Sequence, residues 1–356
     1  MSDNDVDIFL RRTAIDDDGN SFYDRYTDAF KAMGNANLAV HEFGKTFERT
    51  TDKKGRLAYV TKPGGAEFTA NIIAEVGSES QGTWLRAYPR KNPPNLPFGD
   101  DHSPHRMVIG ARCPTAPTSD MSQLWGDFLG CLDETRETDQ KEELSADQKL
   151  KVTEWTSRED DNMDKPADII LLRMKPTYEK PFGNTVSTPR RVRNSRARPS
   201  SSGEGEDVEM SGADSAGSTR KVGDTYSPDM LPDHKGPYFS HEKSRLVQRQ
   251  IKDENGNLIA PHELYVKLTE GTLFSAQVSL STYINKDHNP RFMDSKVYHV
   301  NVEKLTILDK GDGAPWNPPS PDLPSAAPST PSKRARDPAV DSAFDDLSPS
   351  KRARTA

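Results

Sequence analysis

The sequence is poor in cysteine and in apolar residues, and it has no long hydrophobic run. Only 33% of its 356 residues are apolar, and the mean hydropathy is -0.83. Segments of this kind bury too little apolar surface to offset the entropy of ordering, so we expect long disordered regions. The two cysteines, Cys113 and Cys131, cannot form a disulfide framework and are typical of a reducing compartment.

Signals for a membrane or a secretory route are missing as well. No stretch approaches the roughly 18 apolar residues that a transmembrane helix requires. The first residues, MSDNDVDIFLRR, are acidic, whereas a secretory leader begins with basic residues followed by an apolar run. These absences predict an intracellular protein with no membrane partner.

Motifs that indicate an enzyme are also missing. The sequence contains no GxxxxGK[ST], HExxH or GxSxG motif and no CxxC pair. One loop gathers potential metal ligands, but Pro104 interrupts their spacing, so the loop is better explained as a turn. These ligands are Asp100, Asp101, His102 and His105, with Cys113 downstream. We therefore expect a protein that is not an enzyme and that uses no metal or cofactor.

Changes in composition divide the chain into five segments. We expect a disordered acidic arm at 1–20, a mixed β/α domain at 21–180 and a disordered linker with a basic cluster at 181–236. A block of strands follows at 237–314, and a disordered tail with two basic clusters occupies 315–356. The strand block is too small to bury a core alone, so we expect it to pack with the first domain.

Hydrophobic periodicity predicts a mainly β fold with a few helices, of the α+β class. Helices are expected in SFYDRYTDAFKAMG, capped by Ser21 and Asp24, in TSDMSQLWGDFLGCLDE and in SADQKLKVTEW. Strands are expected in GRLAYVTK, AEFTANIIAEV, GTWLRAYPRK, HRMVIGARC, ADIILLRMKPTYE, HELYVKLTEG, TLFSAQVSLSTYI and SKVYHVNVEKLTILDKG. These elements predict a small barrel or sandwich, with an oligonucleotide-binding (OB)-like barrel among the candidates.

One predicted strand interleaves aromatic and basic side chains. In TWLRAYPRK, alternation places Trp84, Arg86, Tyr88 and Arg90 on one face, and Lys91 extends the charge. Bases stack on such platforms while arginines neutralise phosphates. The alternative is that Trp84 and Tyr88 pack in a core and the arginines extend to solvent. A second basic and aromatic loop, between the last two strands, carries Lys286, Arg291 and Phe292.

Basic residues cluster three times outside the predicted folded parts, although the net charge is -7. The string PSKRAR occurs twice near the end of the chain, and such exposed strings are typical of nuclear import signals. The signal residues are Arg190, Arg191, Arg193, Lys333, Arg334, Arg336, Lys351, Arg352 and Arg354. A hydroxyl residue followed by proline precedes each cluster, at Thr188, Thr330 and Ser348. Phosphate from a proline-directed kinase would mask the adjacent charge from an import receptor.

Two functions remain in contention. The first is a nuclear nucleic-acid-binding protein that holds single-stranded DNA or RNA on an aromatic and basic β face. The second is a nuclear protein-interaction module, a chromatin or transcription adaptor with phospho-regulated basic tails. Segregated cations favour the first function, because local potential governs contact, whereas the negative net charge favours the second.

Overall fold

The computed structural model describes residues 8–51, 57–90, 98–100, 105–143, 151–158, 167–180, 220–235, 239–285 and 294–316. The helices are α1 (Ile8–Thr13), α2 (Phe22–Ala32), α3 (Ser119–Glu143) and α4 (Leu264–Lys267), with 3-10 turns at Gly34–Ala36, Leu38–Val40, Pro228–Met230 and Pro261–Glu263. The strands are β1 (Phe47–Thr51), β2 (Leu57–Thr61), β3 (Thr69–Val76), β4 (Phe98–Gly99), β5 (Val108–Arg112), β6 (Lys151–Thr153), β7 (Thr156–Ser157), β8 (Ile169–Arg173), β9 (Tyr178–Glu179), β10 (Thr225–Tyr226), β11 (Phe239–Ser240), β12 (Arg245–Val247), β13 (Ile251–Lys252), β14 (Leu273–Asn285) and β15 (Ser295–Asp309).

Five strands close into a barrel. β3 pairs antiparallel with β5 and with β14, β5 pairs antiparallel with β8, and β14 pairs antiparallel with β15. β8 and β15 run parallel and complete the ring. In chain order the five barrel strands are β3, β5, β8, β14 and β15. The first of them, β3, therefore lies between β5 and β14, and the third, β8, lies beside the fifth, β15. This connection is the Greek-key barrel of the OB fold, so the mainly β, OB-like prediction is confirmed.

The barrel interior is filled by alternate residues of its two long strands. Phe274, Ala276, Val278 and Leu280 of β14 are all buried, as their alternation predicts, and the opposite face of β14 is mostly serine and glutamine. β15 pairs antiparallel with β14 from Leu273 to Asn285, with register shifts between Leu273 and Phe274 and between Gln277 and Val278. Since alternate side chains point to opposite faces, one face of each strand enters the core and the other forms the outside of the barrel.

Helix α3 packs against the barrel through a fully buried carboxylate. Asp139 pairs with Lys296 Nζ at 2.7 Å and with Arg49 Nη1 at 2.9 Å. The hydroxyls of Tyr298 and Tyr59 both donate to its Oδ2, at 2.8 and 3.3 Å. Because a buried charge is stable only when it is paired and hydrogen-bonded, this cluster fixes α3 to strands β1, β2 and β15.

Two of the three helix predictions are confirmed, and the third is wrong in its described part. Ser21 caps α2 and forms a capping box with Asp24, as predicted. The helix predicted in TSDMSQLWGDFLGCLDE is α3, which extends to Glu143. The helix predicted in SADQKLKVTEW is wrong from Lys151 onward, because Lys151–Thr153 pairs in parallel with β15. None of the helices in these described ranges has the length and apolar content needed to cross a bilayer.

Two strand predictions are wrong. HELYVKLTEG forms a 3-10 turn and helix α4, because Pro261 begins the turn and the Glu263 carboxylate accepts from Ala260 N at 3.1 Å. TWLRAYPRK is not a strand either. Trp84 makes a single antiparallel bridge to Val108, and the chain then bends away toward Pro89.

The acidic arm predicted to be disordered up to residue 20 is folded from Ile8. Arg12 of α1 is completely buried, and its guanidinium pairs with Glu75 at 3.1 Å and Asp309 at 2.7 Å.

The segment predicted as a disordered linker, 181–236, is likewise folded from Arg220 to Lys235. Its buried Asp233 accepts hydrogen bonds from Ala87 N and the Tyr265 hydroxyl, at 2.8 and 2.7 Å. The arm and the linker both have a polar composition that predicts disorder, but each contains a buried charged residue that pairs with residues far away in the sequence. Residues 181–219 and 317–356 lie outside the described part of the chain.

Candidate nucleic-acid interface

The outer surface of β5, β8, β15 and β14 forms one continuous face. Val108 pairs with Arg173, and Arg173 pairs with Asn301 in the parallel ladder. His299 in turn pairs with Ser281. The intervening residues, such as Ile109 and Leu172, point inward and are fully buried. We call the exposed side the outer face and define it by Arg106, Arg173, Tyr283, His299 and Asn301.

Two arginines lie together on the outer face. Arg173 Nη1 lies 2.6 Å from both ring nitrogens of His299, and Arg106 Nη1 donates to the Met174 carbonyl at 3.0 Å. Neither guanidinium forms an ion pair with a carboxylate in the described ranges; Glu179 and Glu303 act on Arg106 only through their field. The outer face therefore carries positive charge that the described carboxylates do not neutralise by direct contact.

Burial, and after it the charges of neighbouring arginines, lowers the pKa values of these groups. Burial, followed by the nearby Arg106, lowers the pKa of Arg173 from 12.5 to about 10. Burial and then the charge of Arg249 lower the pKa of Arg106. Burial and the two guanidiniums of Arg173 and Arg106 lower the pKa of His299 to about 2, so the imidazole is neutral near pH 7. An anion on this face would relieve the repulsion between the arginines.

Two further cations flank the outer face. Lys175 pairs with Glu303 at 2.8 Å, and Arg249 pairs with Glu179 and donates to the Pro176 carbonyl at 3.2 Å. The side chain of Lys175 is 41% exposed, and that of Arg249 is 24% exposed. Since each holds a carboxylate, they extend the polar rim of the face without adding net charge at their own positions.

The predicted aromatic and basic segment lies beside this face, in the connection between β3 and β5. Leu85 and Ala87 are buried, while Trp84, Arg86 and Tyr88 are partly exposed and Arg90 is exposed, as the period-two pattern implies. The bridge from Trp84 to Val108 places the segment next to β5.

These side chains contact each other closely. The Arg86 guanidinium lies 4.4 Å from the centre of the Trp84 ring, and the rings of Trp84 and Tyr88 meet edge to face at 5.9 Å. Arg86 also donates to the Tyr88 hydroxyl at 2.9 Å and pairs with Glu79. Arg86 is therefore largely neutralised within the protein, and the partly exposed rings of Trp84 and Tyr88 and the exposed Arg90 are the parts of this segment available to a ligand.

The remaining predicted site residues lie outside the described ranges. They are Lys91, Lys286, Arg291 and Phe292, the import residues Arg190, Arg191, Arg193, Lys333, Arg334, Arg336, Lys351, Arg352 and Arg354, and the phosphorylation sites Thr188, Thr330 and Ser348. Their roles stay predictions. By chain order, residues 286–293 connect β14 to β15, and Trp84 to Lys91 lie between β3 and β5. OB folds bind oligonucleotides with the corresponding two loops and the strands between them.

Sequence reasoning missed Arg106, Arg173, Tyr283 and His299. A signal for Arg106 was present in HRMVIGARC, where alternation puts Arg106 and Val108 on one side. Arg173 lies in ADIILLRMKPTYE, which the sequence analysis predicts as a strand without assigning a role to its arginine. Nothing in one sequence pairs Arg173 with His299, because the residues lie 126 positions apart.

In the loop considered as a metal site, the structure describes Asp100 and His105, and both bond to backbone groups of the protein. Asp100 accepts the backbone N–H groups of Glu242, Lys243 and Ser244, and His105 Nε2 donates to the Arg86 carbonyl at 2.7 Å. Within the ranges that the structure covers, no three histidine, cysteine or acidic side chains lie together in a group that could hold a metal ion.

No protein-family model matches the sequence, and neither does any curated protein. Several solved structures show a weak likeness, and three of them are as follows. The single-stranded DNA-binding protein from bacteriophage Enc34 has a TM-score of 0.32 and 10% identity, over 74% of this chain and 92% of that chain. Its complex with ssDNA has a TM-score of 0.30 and 12% identity, over 75% of this chain and 97% of that chain. The protein gp2.5, a single-stranded DNA-binding protein encoded by bacteriophage T7, has a TM-score of 0.30 and 8% identity, over 70% of this chain and 90% of that chain. Scores of this size carry no inference about function, and the OB-like topology rests on the strand pairings themselves.

Proposed function

We propose that this chain is a non-catalytic protein that binds single-stranded nucleic acid along the outer face of its barrel. The observation that carries the proposal is the pair Arg106 and Arg173, half-buried guanidiniums that share one face without a directly paired carboxylate in the described ranges. Phosphate fits these groups, because a planar guanidinium donates two parallel hydrogen bonds to its oxygens.

A single strand satisfies the outer face better than a duplex. Tyr283 and His299 form an aromatic pair with ring centres 5.2 Å apart, close to Arg173. Trp84 and Tyr88 supply further rings on the other side of β5. Unpaired bases can stack on such rings while the phosphates contact the arginines, whereas the bases of a duplex are already stacked on each other.

Binding to a labelled oligo(dT) at two salt concentrations tests the proposal. The double variant Arg106→Gln/Arg173→Gln should bind at least tenfold more weakly at low salt. Loss of two phosphate contacts should also make the slope of log K against log salt shallower by about 1.4, since each contact on a single strand contributes about 0.7.

The matched control removes two charges elsewhere. Lys31→Gln/Lys45→Gln has the same change in net charge, and both lysines are exposed, at 53% and 76%. The control should leave affinity and salt slope close to the parent values. Absence of binding by the parent chain at low salt would contradict the proposal and favour the protein-interaction module.

We also propose that the protein acts in the nucleus. Support comes from the sequence alone, from the two PSKRAR strings and the cluster after Thr188. The test fuses the last 40 residues to a reporter. Alanine at Lys333, Arg334, Lys351 and Arg352 should return a nuclear reporter to the cytoplasm. A reporter that is cytoplasmic from the start contradicts the import signal.

A further inference from the structure

The rings of Trp84 and Tyr88 lie on a stretch of chain that does not belong to a strand. We call this stretch, residues 84–88, the aromatic segment. An antiparallel bridge joins its first residue to β5, since Trp84 N donates to the Val108 carbonyl at 2.8 Å and Val108 N donates to the Trp84 carbonyl at 3.1 Å. Connecting segments are more mobile than strands. A ring on a mobile segment binds a base weakly, because binding must then order the chain that carries it.

Buried side chains hold the aromatic segment beyond this bridge. Asp233 Oδ2 accepts the Ala87 N–H at 2.8 Å, and the Tyr178 hydroxyl donates to the Ala87 carbonyl at 2.8 Å. One residue earlier, His105 Nε2 donates to the Arg86 carbonyl at 2.7 Å. We call Asp233, Tyr178 and His105 the anchors. They fix the backbone at two consecutive residues, midway between the two rings.

The anchor contacts lie in the interior of the protein. Asp233 is 0% exposed, and Tyr178 and His105 are each 7% exposed. Ala87, which forms two of the three contacts, is also completely buried. A buried backbone group that loses its partner has no water to replace it, so each contact favours one conformation of the aromatic segment.

Two of the anchors come from distant parts of the chain. Tyr178 belongs to β9, and Asp233 follows the 3-10 turn at Pro228–Met230, 91 and 146 positions from Ala87. The other carboxylate oxygen of Asp233 accepts the Tyr265 hydroxyl at 2.7 Å, which ties Asp233 to α4. The folded part of the predicted linker therefore supports the aromatic segment.

We propose that the anchors are positioning residues for nucleic-acid binding. They hold the rings of Trp84 and Tyr88 in one arrangement, edge to face with centres 5.9 Å apart, before a strand arrives. Bases then stack on rings that are already ordered, and the cost of ordering them does not reduce the affinity. This inference rests on the proposed function, since it concerns the rings on which the bases of the bound strand stack.

The first test removes one anchor contact from the full chain and keeps the ring that carries it. Tyr178→Phe should bind labelled oligo(dT) about three- to tenfold more weakly, because only molecules whose aromatic segment is in place bind fully. The salt slope should stay the same, since the rings contact no phosphate. Affinity equal to that of the parent chain would overturn the inference.

Tyr23→Phe is the matched control. Tyr23 is 0% exposed, and its hydroxyl also donates to a backbone carbonyl at 2.8 Å, that of Thr115. The control therefore loses the same kind of buried hydrogen bond in another part of the protein, and it should bind oligo(dT) as tightly as the parent chain. Equal weakening by both variants would show that binding responds to general destabilisation, and would overturn the inference.

Two substitutions of Asp233 test the second anchor. Asp233→Asn keeps an oxygen that accepts the Ala87 N–H, whereas Asp233→Ala removes it. Affinity for oligo(dT) should fall about tenfold with alanine and return in large part with asparagine. An asparagine variant that binds as weakly as the alanine variant would contradict the role of this hydrogen bond. If alanine unfolds the chain, the comparison of asparagine with the parent chain gives the same answer.

A double-mutant cycle shows whether the anchors act through the rings. In a Trp84→Ala/Tyr88→Ala background, Tyr178→Phe should have little further effect on affinity, because no rings remain to be positioned. An effect as large as that in the parent chain would show that Tyr178 acts on another part of the protein, and would overturn the inference while leaving the proposed function intact. Failure of the parent chain to bind oligo(dT) would instead contradict the proposed function.

Discussion

Arg173 and His299 lie in contact on adjacent parallel strands, with Arg173 Nη1 2.6 Å from both ring nitrogens of the histidine. The parallel pairing of β8 and β15 is what produces this contact, because it brings together residues 126 positions apart. Burial, and after it the charges of Arg173 and Arg106, lowers the pKa of His299 to about 2, so the imidazole is neutral near pH 7. The positive charge of the outer face near pH 7 therefore comes from its arginines and not from this histidine.

Replacing Trp84 should weaken binding without changing its salt dependence. If a base stacks on the indole, Trp84→Ala should cost about 1 to 3 kcal/mol of binding free energy. The salt slope should stay the same, because the ring contacts no phosphate. Fluorescence anisotropy of a labelled oligo(dT) at three salt concentrations measures both quantities.

Trp84→Phe is the control for this variant. It keeps an aromatic ring beside Arg86 but removes the indole N–H, which donates to the Tyr88 carbonyl at 2.7 Å. Most of the affinity should return with phenylalanine. An alanine variant that binds as well as the parent chain would show that Trp84 serves packing alone, the alternative that the sequence leaves open.

Several features of the fold could be predicted because they depend on local pattern. The alternation of β14 places Phe274 and Val278 in the core, and the Ser21 and Asp24 pair fixes the start of α2. Alternation also correctly predicts that Leu85 is buried and that Trp84 is partly exposed, even though the segment is not a regular strand. Periodicity therefore determined which side chains face inward but not which segments pair.

The errors arise where distant residues decide the local structure. Arg12 lies in an acidic stretch with the composition of a disordered arm, yet its partners Glu75 and Asp309 are 63 and 297 positions away. Tyr265 has strand-like neighbours, but its hydroxyl bonds the buried Asp233 and its backbone belongs to α4. No window of a single sequence contains both members of such pairs. The same holds for the outer face, whose arginines come from separate strands.

The stability of the fold should fall as the pH drops from about 6.5 toward 4. Burial lowers the pKa of His105 from 6.5 to about 4. As the pH falls, the unfolded chain therefore takes up this proton before the folded chain does. The contribution of neutral His105 to stability is complete above pH 6.5 and is lost through this window, to the extent of about 3 kcal/mol.

Urea unfolding of the parent chain and of His105→Gln at pH 7.5, 6 and 5 measures this dependence. Glutamine can still donate to the Arg86 carbonyl but does not titrate. The variant should lose less stability between pH 7.5 and 5 than the parent chain. Parallel curves for the two proteins would show that His105 is not responsible for the loss.

The buried cluster around Asp139 should respond asymmetrically to removal of its members. Asp139→Ala leaves Lys296, which is 1% exposed, without its carboxylate and removes the acceptor of two tyrosine hydroxyls. Breaking a buried pair in this way costs about 3 to 5 kcal/mol. Lys296→Met is expected to cost less, because Arg49 still pairs with Asp139 at 2.9 Å.

Urea denaturation of the two variants gives the comparison. A double variant, Asp139→Ala/Lys296→Met, should be more stable than Asp139→Ala alone, since it no longer leaves the charge of the fully buried Lys296 without its carboxylate. A double variant that is less stable than either single variant would indicate that the two residues contribute independently of each other.

Gly110 should tolerate no side chain, because the connection carrying Trp84 lies directly over it. A Cβ atom at this position would lie 2.1 Å from the Gln81 carbonyl oxygen and 3.1 Å from the Thr83 nitrogen. These are backbone atoms, so Gly110→Ala must displace the segment from Gln81 to Trp84 and break the hydrogen bond from Gly110 N to the Thr83 hydroxyl, now 3.0 Å long. Overpacking of this kind costs about 1 to 3 kcal/mol.

The variant should also weaken binding of oligo(dT), because it moves Trp84 away from Val108 and the outer face. Gly126→Ala is the matched control. Gly126 lies on α3, and a Cβ atom added there would meet nothing within 4 Å beyond its chain neighbours and the backbone of its own helix. Alanine at this position should therefore stabilise the helix by about 1 kcal/mol and leave binding unchanged. If Gly110→Ala lowers stability but binds oligo(dT) as tightly as the parent chain, the Trp84 segment is not part of the interface, and the ligand contacts are confined to the strands of the barrel.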